Sequence, residues 1–250
     1  MASDIVPVIE LRHVTKRFGN RNVLDDLTLS IPARQGLCLL GRSGTGKSVM
    51  LKHIVGLIKP DVGEVLVEGK DLARMSRQQL SVTRQRIGFL FQNAALFDSL
   101  SVGDNVAFPL RRHTDASNAE IVSRVRTLLE QVGLERDYDT MPADLSGGMQ
   151  KRAGLARAMA LAPPILLADE PSAGLDPVTA AEIDALLIDL KRRLGTTLVV
   201  VTHNIPSARA IGDELVFVHE AKILARGSPE LLDRSEHPLV REFMRSAGSG

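Results

Sequence analysis

The sequence predicts an α/β fold built around a largely parallel sheet. The first observation is a set of short, largely apolar runs of strand length at residues 37–40, 165–168 and 197–201. Runs of this kind suit central strands that are covered on both faces. The second observation is that segments with helical periodicity separate such runs along the chain. Strands that alternate with helices are typical of α/β architecture.

Two of the helices are delimited by their caps. Residues 117–120, Ser-Asn-Ala-Glu, match a capping box, and the apolar periodicity that follows ends at Gly133. Asp176 and Pro177 are residue types preferred at the N-cap and at the first position of a helix, which is predicted to end at Gly195. The apolar face predicted for this second helix consists of Ile183, Leu187, Leu190 and Leu194.

Other parts of the chain carry different patterns. Residues 9–31 and 62–69 alternate polar and apolar positions, which predicts antiparallel strands. Residues 92–162 are mostly helical in pattern, so we expect a helical lobe inserted into the α/β core. Residues 215–218 and 223–225 predict a hairpin near the C-terminus.

These patterns predict one domain over residues 7–245. We expect an inserted helical subdomain at about 93–162 and a C-terminal tail at 229–250. Apolar residues recur in the tail between positions 231 and 244. They could pack on the core of the same chain or across to a second copy, and the sequence leaves both arrangements open.

Charge and cysteine content argue against several classes of protein. The 31 basic and 30 acidic side chains nearly cancel, so there is no basic footprint for nucleic acid. Cys38 is the single cysteine, which rules out an intramolecular disulfide, and its apolar neighbours predict a buried thiol. Residues 1–10 lack the pattern of a secretory signal, and no run approaches the roughly 18 apolar residues that span a bilayer. We therefore expect a soluble chain that acts at a membrane only through a partner.

A complete phosphate-binding motif follows the first apolar run. It matches G-x-x-x-x-G-K-[ST] and consists of Gly41, Arg42, Ser43, Gly44, Thr45, Gly46, Lys47 and Ser48. The glycines let backbone N–H groups wrap around phosphates, and the positive end of the following helix adds to anion binding. We expect Lys47 to reach the β- and γ-phosphates of a nucleotide and Ser48 to coordinate Mg²⁺. The alternative is a glycine-rich turn without a ligand.

Two acidic residues, Asp169 and Glu170, end the apolar run at residues 165–168. The carboxyl ends of parallel strands lie at the sheet edge where nucleotides bind. We expect Asp169 to hold the Mg²⁺ shell and Glu170 to orient and activate an attacking water. By itself such a strand end would be explained equally by solvation, so the interpretation depends on the phosphate-binding motif.

Residues 145–149, Leu-Ser-Gly-Gly-Met, resemble the signature motif of the ATP-binding cassette (ABC) proteins, in which a glutamine usually stands at the position of Met149. The resemblance spans almost the whole chain through an ordered set of motifs at Phe18, 41–48, Gln92, 145–149, 169–170, 172–176 and His203. It implies an ATPase that uses ATP and Mg²⁺. It also implies a P-loop NTPase (RecA-like) core with an antiparallel β subdomain and an inserted helical subdomain.

The resemblance assigns roles to the signature residues. Ser146, Gly147 and Gly148 open a helix whose N-terminus would grip the γ-phosphate bound to a second copy of the chain. The implied assembly is a dimer that sandwiches ATP. Asp176 matches a loop that crosses the interface of such a dimer, although it could equally be only the helix cap described above, or both.

Three further residues receive roles from the same resemblance. Gln92 would link the Mg²⁺ and water site to a transmembrane permease subunit, and His203 would contact the γ-phosphate. Phe18 would stack on adenine, where the family often has tyrosine. The alternatives are a surface glutamine, a structural histidine and a core phenylalanine.

Residues 91–100, 102–111 and 145–158 look like the Mla/Mce-type lipid transport ATPases. That subfamily moves phospholipids or related lipids between bacterial inner and outer membranes. The implied partners are a permease, an MCE-domain lipid-binding protein and a STAS-domain protein, with the ATPase peripheral on the cytoplasmic side of the inner membrane. Residues 111–113, Arg-Arg-His, suggest either anionic lipid contact or a solvated loop.

Two alternative functions are considered, one within transport and one from another class. One is an importer of polar solutes such as amino acids. The other is an ABC protein of DNA repair or translation, which is disfavoured because the chain has no coiled-coil insertion, zinc-binding cysteines, second cassette or basic footprint.

Overall fold

The computed structural model describes residues 7–246. Its strands are β1 (Pro7–Phe18), β2 (Arg21–Pro32), β3 (Gly36–Leu40), β4 (Val62–Val67), β5 (Lys70–Asp71), β6 (Ile87–Leu90), β7 (Ile165–Asp169), β8 (Thr197–Val201), β9 (Glu214–His219) and β10 (Lys222–Gly227). Its α-helices are α1 (Lys47–Ile54), α2 (Arg77–Gln85), α3 (Val102–His113), α4 (Asn118–Gln131), α5 (Gly147–Met159), α6 (Pro177–Leu194), α7 (Ile205–Ile211), α8 (Pro229–Asp233) and α9 (Pro238–Arg245). Two short 3₁₀ helices span Leu72–Arg74 and Pro142–Asp144. Within residues 7–246, none of the helices has the length and apolar character needed to cross a bilayer.

The central sheet has six strands in the order β10-β9-β3-β8-β7-β6. Every pair from β9 to β6 is parallel, and β10 adds an antiparallel edge through the predicted hairpin with β9. This confirms the predicted α/β class and the three predicted central strands. The second sheet is antiparallel with the order β2-β1-β4-β5, as the alternating segments predicted.

Alternation along the central strands divides the core into two layers. Leu37 and Leu39 of β3 face a layer shared with α1 and the antiparallel sheet, whereas Cys38 and Leu40 face a layer shared with α5, α6 and α7. Because side chains of a strand point to opposite faces in turn, each apolar run supplies both layers at once. The predicted burial of Cys38 is confirmed, and burial raises the pKa of its thiol.

The helices α3, α4 and α5 form a lobe with its own apolar core. The capping box of α4 is present, and Gly133 has a φ of 71° after its end. Residues 92–101, at the start of the segment predicted to be mostly helical, form turns and loops, and α3 starts where Ser101 caps it by accepting from the Asp104 amide. The predicted loop at residues 111–113 is wrong, since these basic residues form the last turn of α3, where they complement the helix dipole.

The tail packs on the core of its own chain. Leu232, Val240 and Met244 are buried in the layer that contains Phe217, and the Phe243 ring meets Phe217 edge-on at 4.9 Å between centroids. Of the two arrangements that the sequence left open, these residues adopt the first. Residues 247–250 of the predicted tail, and residues 1–6 of the segment predicted to lack a signal, lie outside the described residues.

The caps of α6 agree with the sequence, but its predicted apolar face is too long by one residue. Asp176 is the N-cap, Pro177 is the first helical residue and Gly195 ends the helix in the left-handed region. Ile183, Leu187 and Leu190 are buried, whereas Leu194 is more than half exposed. Leu194 is the last helical residue and lies beyond the layer that covers the other three.

Asp184 of α6 is a buried carboxyl group inside this otherwise apolar layer. Its Oδ1 atom has no hydrogen-bond partner among residues 7–246. Burial raises the pKa of Asp184, and a hydrogen bond with Ser207 opposes the shift only in part. The folded state therefore binds a proton more tightly at this position than the unfolded chain does.

The substitution Asp184→Asn should stabilise the protein at neutral pH relative to the parent. Because the folded-state pKa lies above the unfolded one, the parent loses stability as pH rises from the unfolded pKa through the folded pKa. The advantage of the variant should therefore shrink toward pH 4, where the parent carboxyl is neutral. Urea unfolding between pH 4 and 8 measures this, with the exposed Asp189→Asn on the same helix as control. A difference that is independent of pH would contradict the interpretation.

Candidate active site

The phosphate-binding loop lies between β3 and α1 and is shaped by close backbone contacts. A Cβ atom at Gly41 would lie 2.2 Å from the Val218 carbonyl oxygen, and one at Gly46 would lie 2.4 Å from the Val23 carbonyl oxygen. Both glycines also have positive φ, at 141° and 99°. No other residue fits either position without moving the backbone. The loop is thus held between β9 and β2, with its amide groups free to face a ligand.

Lys47 is the first residue of α1, and its side chain turns back into the loop. Its Nζ atom donates to the carbonyl oxygens of Gly41 at 2.7 Å and Arg42 at 2.9 Å. Burial lowers the pKa of this ammonium group, and the charges of Glu170 and Asp169 act in the opposite direction. The loop therefore holds a buried cation, Lys47, at the place predicted for the β- and γ-phosphates of a nucleotide.

Ser48 and Asp169 meet at the carboxyl end of β7. The Ser48 Oγ atom donates to Asp169 Oδ1 at 2.8 Å. Burial raises the pKa of Asp169, with Glu170 adding to the effect, while the hydrogen bond from Ser48 lowers it. A hydroxyl and a carboxylate are hard oxygen donors of the kind that Mg²⁺ prefers.

No group of three or more His, Cys, Asp or Glu side chains that could hold a metal ion occurs among residues 7–246. The pair of Ser48 and Asp169 fits a Mg²⁺ ion that takes its remaining ligands from water and nucleotide phosphates, which is the usual arrangement for this ion. The donor set is thus compatible with the predicted metal.

Glu170 and His203 form a second pair beside the first. Both Glu170 carboxylate oxygens lie 3.0 Å from His203 Nδ1. The Glu170 side chain is 15% exposed and that of His203 is 62% exposed, so the pair faces outward from the sheet edge. The contact arises because β7 and β8 are parallel neighbours, with Asp169 opposite Val201.

The backbone of Glu170 is strained. Its φ is 48°, in the left-handed region that residues with a side chain rarely adopt. The Glu170 amide donates to the Val201 carbonyl oxygen at 2.8 Å, which fixes the residue against β8. Such conformations cost of order 1–3 kcal/mol and persist where the surroundings hold them, as they do at many functional sites.

Gln92 follows β6 by two residues, and its side chain is exposed. In the described chain this side chain makes no hydrogen bond to Ser48 or Asp169, so the structure does not join Gln92 to that pair directly. Its main-chain carbonyl oxygen instead accepts a hydrogen bond from the Lys151 ammonium group of α5.

Phe18 is not the core residue that the alternative interpretation required, because it is 51% exposed at the end of β1. It is paired in register with Arg21 of β2, and the Arg21 guanidinium donates to the Gly44 carbonyl oxygen at 3.3 Å. The ring therefore belongs to a turn that contacts the phosphate-binding loop. The Lys16 ammonium lies 5.7 Å from the ring centroid, so one face of the ring already has a cationic neighbour.

Ser146 is the N-cap of α5 and accepts from the Met149 amide at 3.3 Å. A Cβ atom at Gly148 would lie 2.5 Å from Thr179 Cγ2, whereas one at Gly147 would lie no closer than 3.5 Å to Leu175. Met149 packs against the core of the helical lobe, so the residue that departs from the signature motif has an apolar role here.

Both carboxylate oxygens of Asp176 accept hydrogen bonds from residues of the same chain. One carboxylate oxygen accepts from the Val178 and Thr179 amides at 3.0 Å, and the other accepts from the Thr179 hydroxyl at 2.6 Å. These hydrogen bonds, above all those from Thr179, lower the pKa of Asp176. The helix-cap role is thus present in the structure.

Two functional candidates were missed by sequence reasoning, Lys151 and Arg157 of α5. Lys151 is 6% exposed and also donates to the Glu170 carbonyl oxygen at 3.2 Å. Arg157 donates to the carbonyl oxygens of Ala94 at 2.7 Å and Ala95 at 2.6 Å. A basic residue in a helix is usually solvated, so no local signal distinguished these two from surface charges.

Comparisons with known proteins agree on one family. The family described as "ABC transporter" matches residues 24–173. A probable ribonucleotide transport ATP-binding protein mkl from Mycobacterium leprae is 43% identical over 97% of this chain and 70% of its own length. The intermembrane phospholipid transport system ATP-binding protein MlaF of Escherichia coli is 40% identical over 100% of this chain and 93% of its own length.

A solved structure gives the same result. The dimeric structure of a post-hydrolysis state of the ATP-binding cassette MJ0796 bound to ADP and Pi is 35% identical, with a TM-score of 0.82 over 88% of this chain and 98% of that one.

The substitution Gly148→Ala should destabilise the protein, whereas Gly147→Ala should not. Thr179 cannot rotate away from a new methyl group without losing its 2.6 Å hydrogen bond to Asp176. Overpacking of this kind costs about 1–3 kcal/mol. Urea unfolding of the two variants measures the difference. Equal stability of both would show that the start of α6 adapts more easily than its contacts indicate.

Proposed function

The chain belongs to the ABC transporter family and is an ATP-binding, ATP-hydrolysing subunit; we propose that it powers phospholipid transport between the inner and outer membranes of a bacterium. The cargo assignment is supported by the MlaF relative, which matches this chain over 93% of its own length. The mkl relative, whose name refers to ribonucleotide transport, is matched over 70% of its own length. The importer of polar solutes that the sequence left open is not favoured by the MlaF relative.

The observation that carries the catalytic assignment is the side-by-side arrangement of two pairs, Ser48 with Asp169 and Glu170 with His203. The loop amides and Lys47 would bind the β- and γ-phosphates of ATP. Ser48 and Asp169 would hold Mg²⁺, which when bound offsets negative charge on the phosphates. The Glu170 carboxylate would accept a hydrogen bond from the attacking water and take its proton, while His203 holds that carboxylate and faces the γ-phosphate.

The proposed adenine contact is Phe18. Its ring is exposed beside the turn that touches Gly44, so a base bound next to the phosphates could stack on the face that Lys16 does not occupy. Gln92 is proposed to link the Mg²⁺ and water site to the permease through the loop that follows β6.

A second copy of the chain is the proposed partner in the ATP sandwich. The N-terminus of α5 carries free donors and a partial positive charge. Gly147 is exposed at this end, and a Cβ atom there would lie 3.5 Å from Leu175, so the position is not tightly packed. A γ-phosphate bound to another copy is the ligand that suits it, and Asp176 is proposed to lie near the same interface. The dimeric cassette MJ0796 supports this assembly.

The proposed permease contact is a groove between the central sheet and the helical lobe. It has a volume of about 440 Å³, and its aromatic lining consists of Phe89, Phe91, Phe97 and Phe108. Phe91, Phe97 and Phe108 are each at least 36% exposed, which is unusual for three large apolar side chains on one surface. A short helix of a transmembrane permease would bury them. His113 also lines this groove, so the end of α3 would lie next to the permease.

The remaining partners and the location are proposed from the subfamily. An MCE-domain lipid-binding protein and a STAS-domain protein would complete the transporter. The chain would be peripheral on the cytoplasmic side of the bacterial inner membrane.

The variant Glu170→Gln should retain ATP binding and lose ATP turnover by about 10²-fold or more, because the proton of the attacking water loses its acceptor. Steady-state phosphate release and binding of a fluorescent ATP analogue measure the two quantities. Glu220→Gln is the matched control, since Glu220 is an exposed residue that also has a left-handed φ, of 44°. Near-parental turnover by Glu170→Gln would rule out Glu170 as the base.

Affinity purification of Glu170→Gln from native membranes in mild detergent tests the cargo. Mass spectrometry should find a permease, an MCE-domain protein and bound phospholipid. The lipid assignment would be overturned by a permease that co-purifies with a solute-binding protein instead. Recovery of nucleic-acid-binding machinery alone would overturn the transporter assignment. The Glu220→Gln variant, purified in parallel, shows which partners depend on stalled hydrolysis.

A further inference from the structure

One face of α5 packs on the loop that carries Gln92. Lys151, Gly154 and Arg157 are spaced three residues apart, which places them in one row along the helix. We call these three residues the α5 row and residues 92–95 the Gln92 segment. A Cβ atom at Gly154 would lie 3.0 Å from the Ala94 Cβ, so the helix approaches the Gln92 segment closely between the two basic residues.

The two basic residues of the α5 row donate hydrogen bonds to main-chain carbonyl oxygens of the Gln92 segment. Ala94 and Ala95 have φ values of 55° and 51°, two consecutive left-handed residues that carry side chains. Their carbonyl oxygens both accept from the Arg157 guanidinium. The carbonyl oxygen of Gln92 accepts from Lys151. The unusual backbone of this segment is therefore held by α5.

Lys151 differs from Arg157 because it also reaches the active site. Its Nζ atom donates to the Glu170 carbonyl oxygen at 3.2 Å, and so bridges two loops that are far apart in sequence. It forms no salt bridge with any residue in the described part of the chain; the carboxylates of Glu170 and Asp169 act on it only through longer-range charge. Burying an ammonium group costs free energy of desolvation, even when it donates to main-chain carbonyls. We therefore interpret the role of Lys151 as fixing the positions of the two carbonyl groups.

The Glu170 main chain is held from two directions. Its amide is bonded to Val201 of the sheet, while its carbonyl oxygen accepts from the Ala173 amide at 3.2 Å and from Lys151. Of these contacts, only the one from Lys151 comes from the helical lobe. Because the direction of the Glu170 side chain follows from its strained φ, a shift of Lys151 would change where the carboxylate points.

We propose that Lys151 is a positioning residue that couples the signature end of α5 to the catalytic Glu170 and to the permease-facing Gln92 segment. When the nucleotide of a second copy binds at the N-terminus of α5 and displaces this helix, Lys151 transmits the displacement of α5 to the Gln92 segment and to Glu170 together. The inference rests on Glu170 acting as the base, as proposed above. It adds a mechanical connection within one chain between partner nucleotide, water activation and permease contact.

The test is steady-state ATP hydrolysis by the full-length Lys151→Met variant. Methionine matches the unbranched lysine side chain as far as Cε but lacks the ammonium group and donates no hydrogen bond. We expect kcat to fall by about 10- to 100-fold, the range for a misplaced catalytic group, with KM for ATP within about twofold of the parent. The Lys151→Arg variant, which can donate to both carbonyls, should recover most of the rate.

The matched control is Arg152→Met, on the same helix one residue away. Arg152 is bonded to the Val132 carbonyl oxygen and to Glu182, on the side of α5 that faces the lobe and α6. Its loss should lower thermal stability without a comparable change in kcat. Equal loss of kcat in Arg152→Met and Lys151→Met would reduce Lys151 to a structural role and overturn the proposal.

Two further outcomes are decisive. Parental kcat in a folded Lys151→Met variant would overturn the proposal while leaving Glu170→Gln inactive, whereas an active Glu170→Gln would refute the proposed base itself. If Lys151→Met does not fold, Lys151→Gln is compared with Lys151→Arg. Equal rates for these two variants would then overturn the proposal, because glutamine cannot reach both carbonyl oxygens.

Discussion

The parallel pairing of β3, β8 and β7 is the constraint on which the rest of the structure depends. Parallel strands end at the same edge of a sheet, so the phosphate-binding loop meets Asp169, Glu170 and His203 although these residues lie more than 120 positions after it in the chain. Each group then needs only a local feature to take its place. Gly41 and Gly46 let the loop approach its neighbours, and Ser48 reaches Asp169 from the helix that follows the loop.

Two lysines offset negative charge at the sheet edge that carries Asp169 and Glu170. Two buried lysines, Lys47 from the loop and Lys151 from the lobe, act on two acidic residues, Asp169 and Glu170. Neither lysine is directly ion-paired with these acids, and both donate to main-chain carbonyls instead. This arrangement keeps both lysines out of direct ion pairs with the carboxylates, while the negative charge of the carboxylates is still offset nearby. The helical lobe thus contributes positive charge to the site through Lys151, in addition to the positioning role proposed for that residue.

Much of this could be predicted because the signals are local. The apolar runs of the central strands, the caps at Ser117 and Asp176 and the phosphate-binding motif each occupy a few consecutive residues, and the structure contains all of them. The direct pairing of Glu170 with His203, the left-handed pair at Ala94 and Ala95 and the buried ends of Lys151 and Arg157 could not be predicted. Each depends on which distant carbonyl or carboxylate lies opposite, and that is decided by tertiary packing.

The stacking contact proposed for Phe18 would have a consequence for nucleotide choice. A phenyl ring offers a base a flat apolar face and no hydrogen-bond donor or acceptor, so stacking on it cannot distinguish the edges of different bases. Binding strength would then come mainly from the phosphate groups held by the loop and Lys47. A purine such as guanine would be accepted nearly as well as adenine. Preference for one triphosphate in the cell would then follow its abundance more than recognition by the protein.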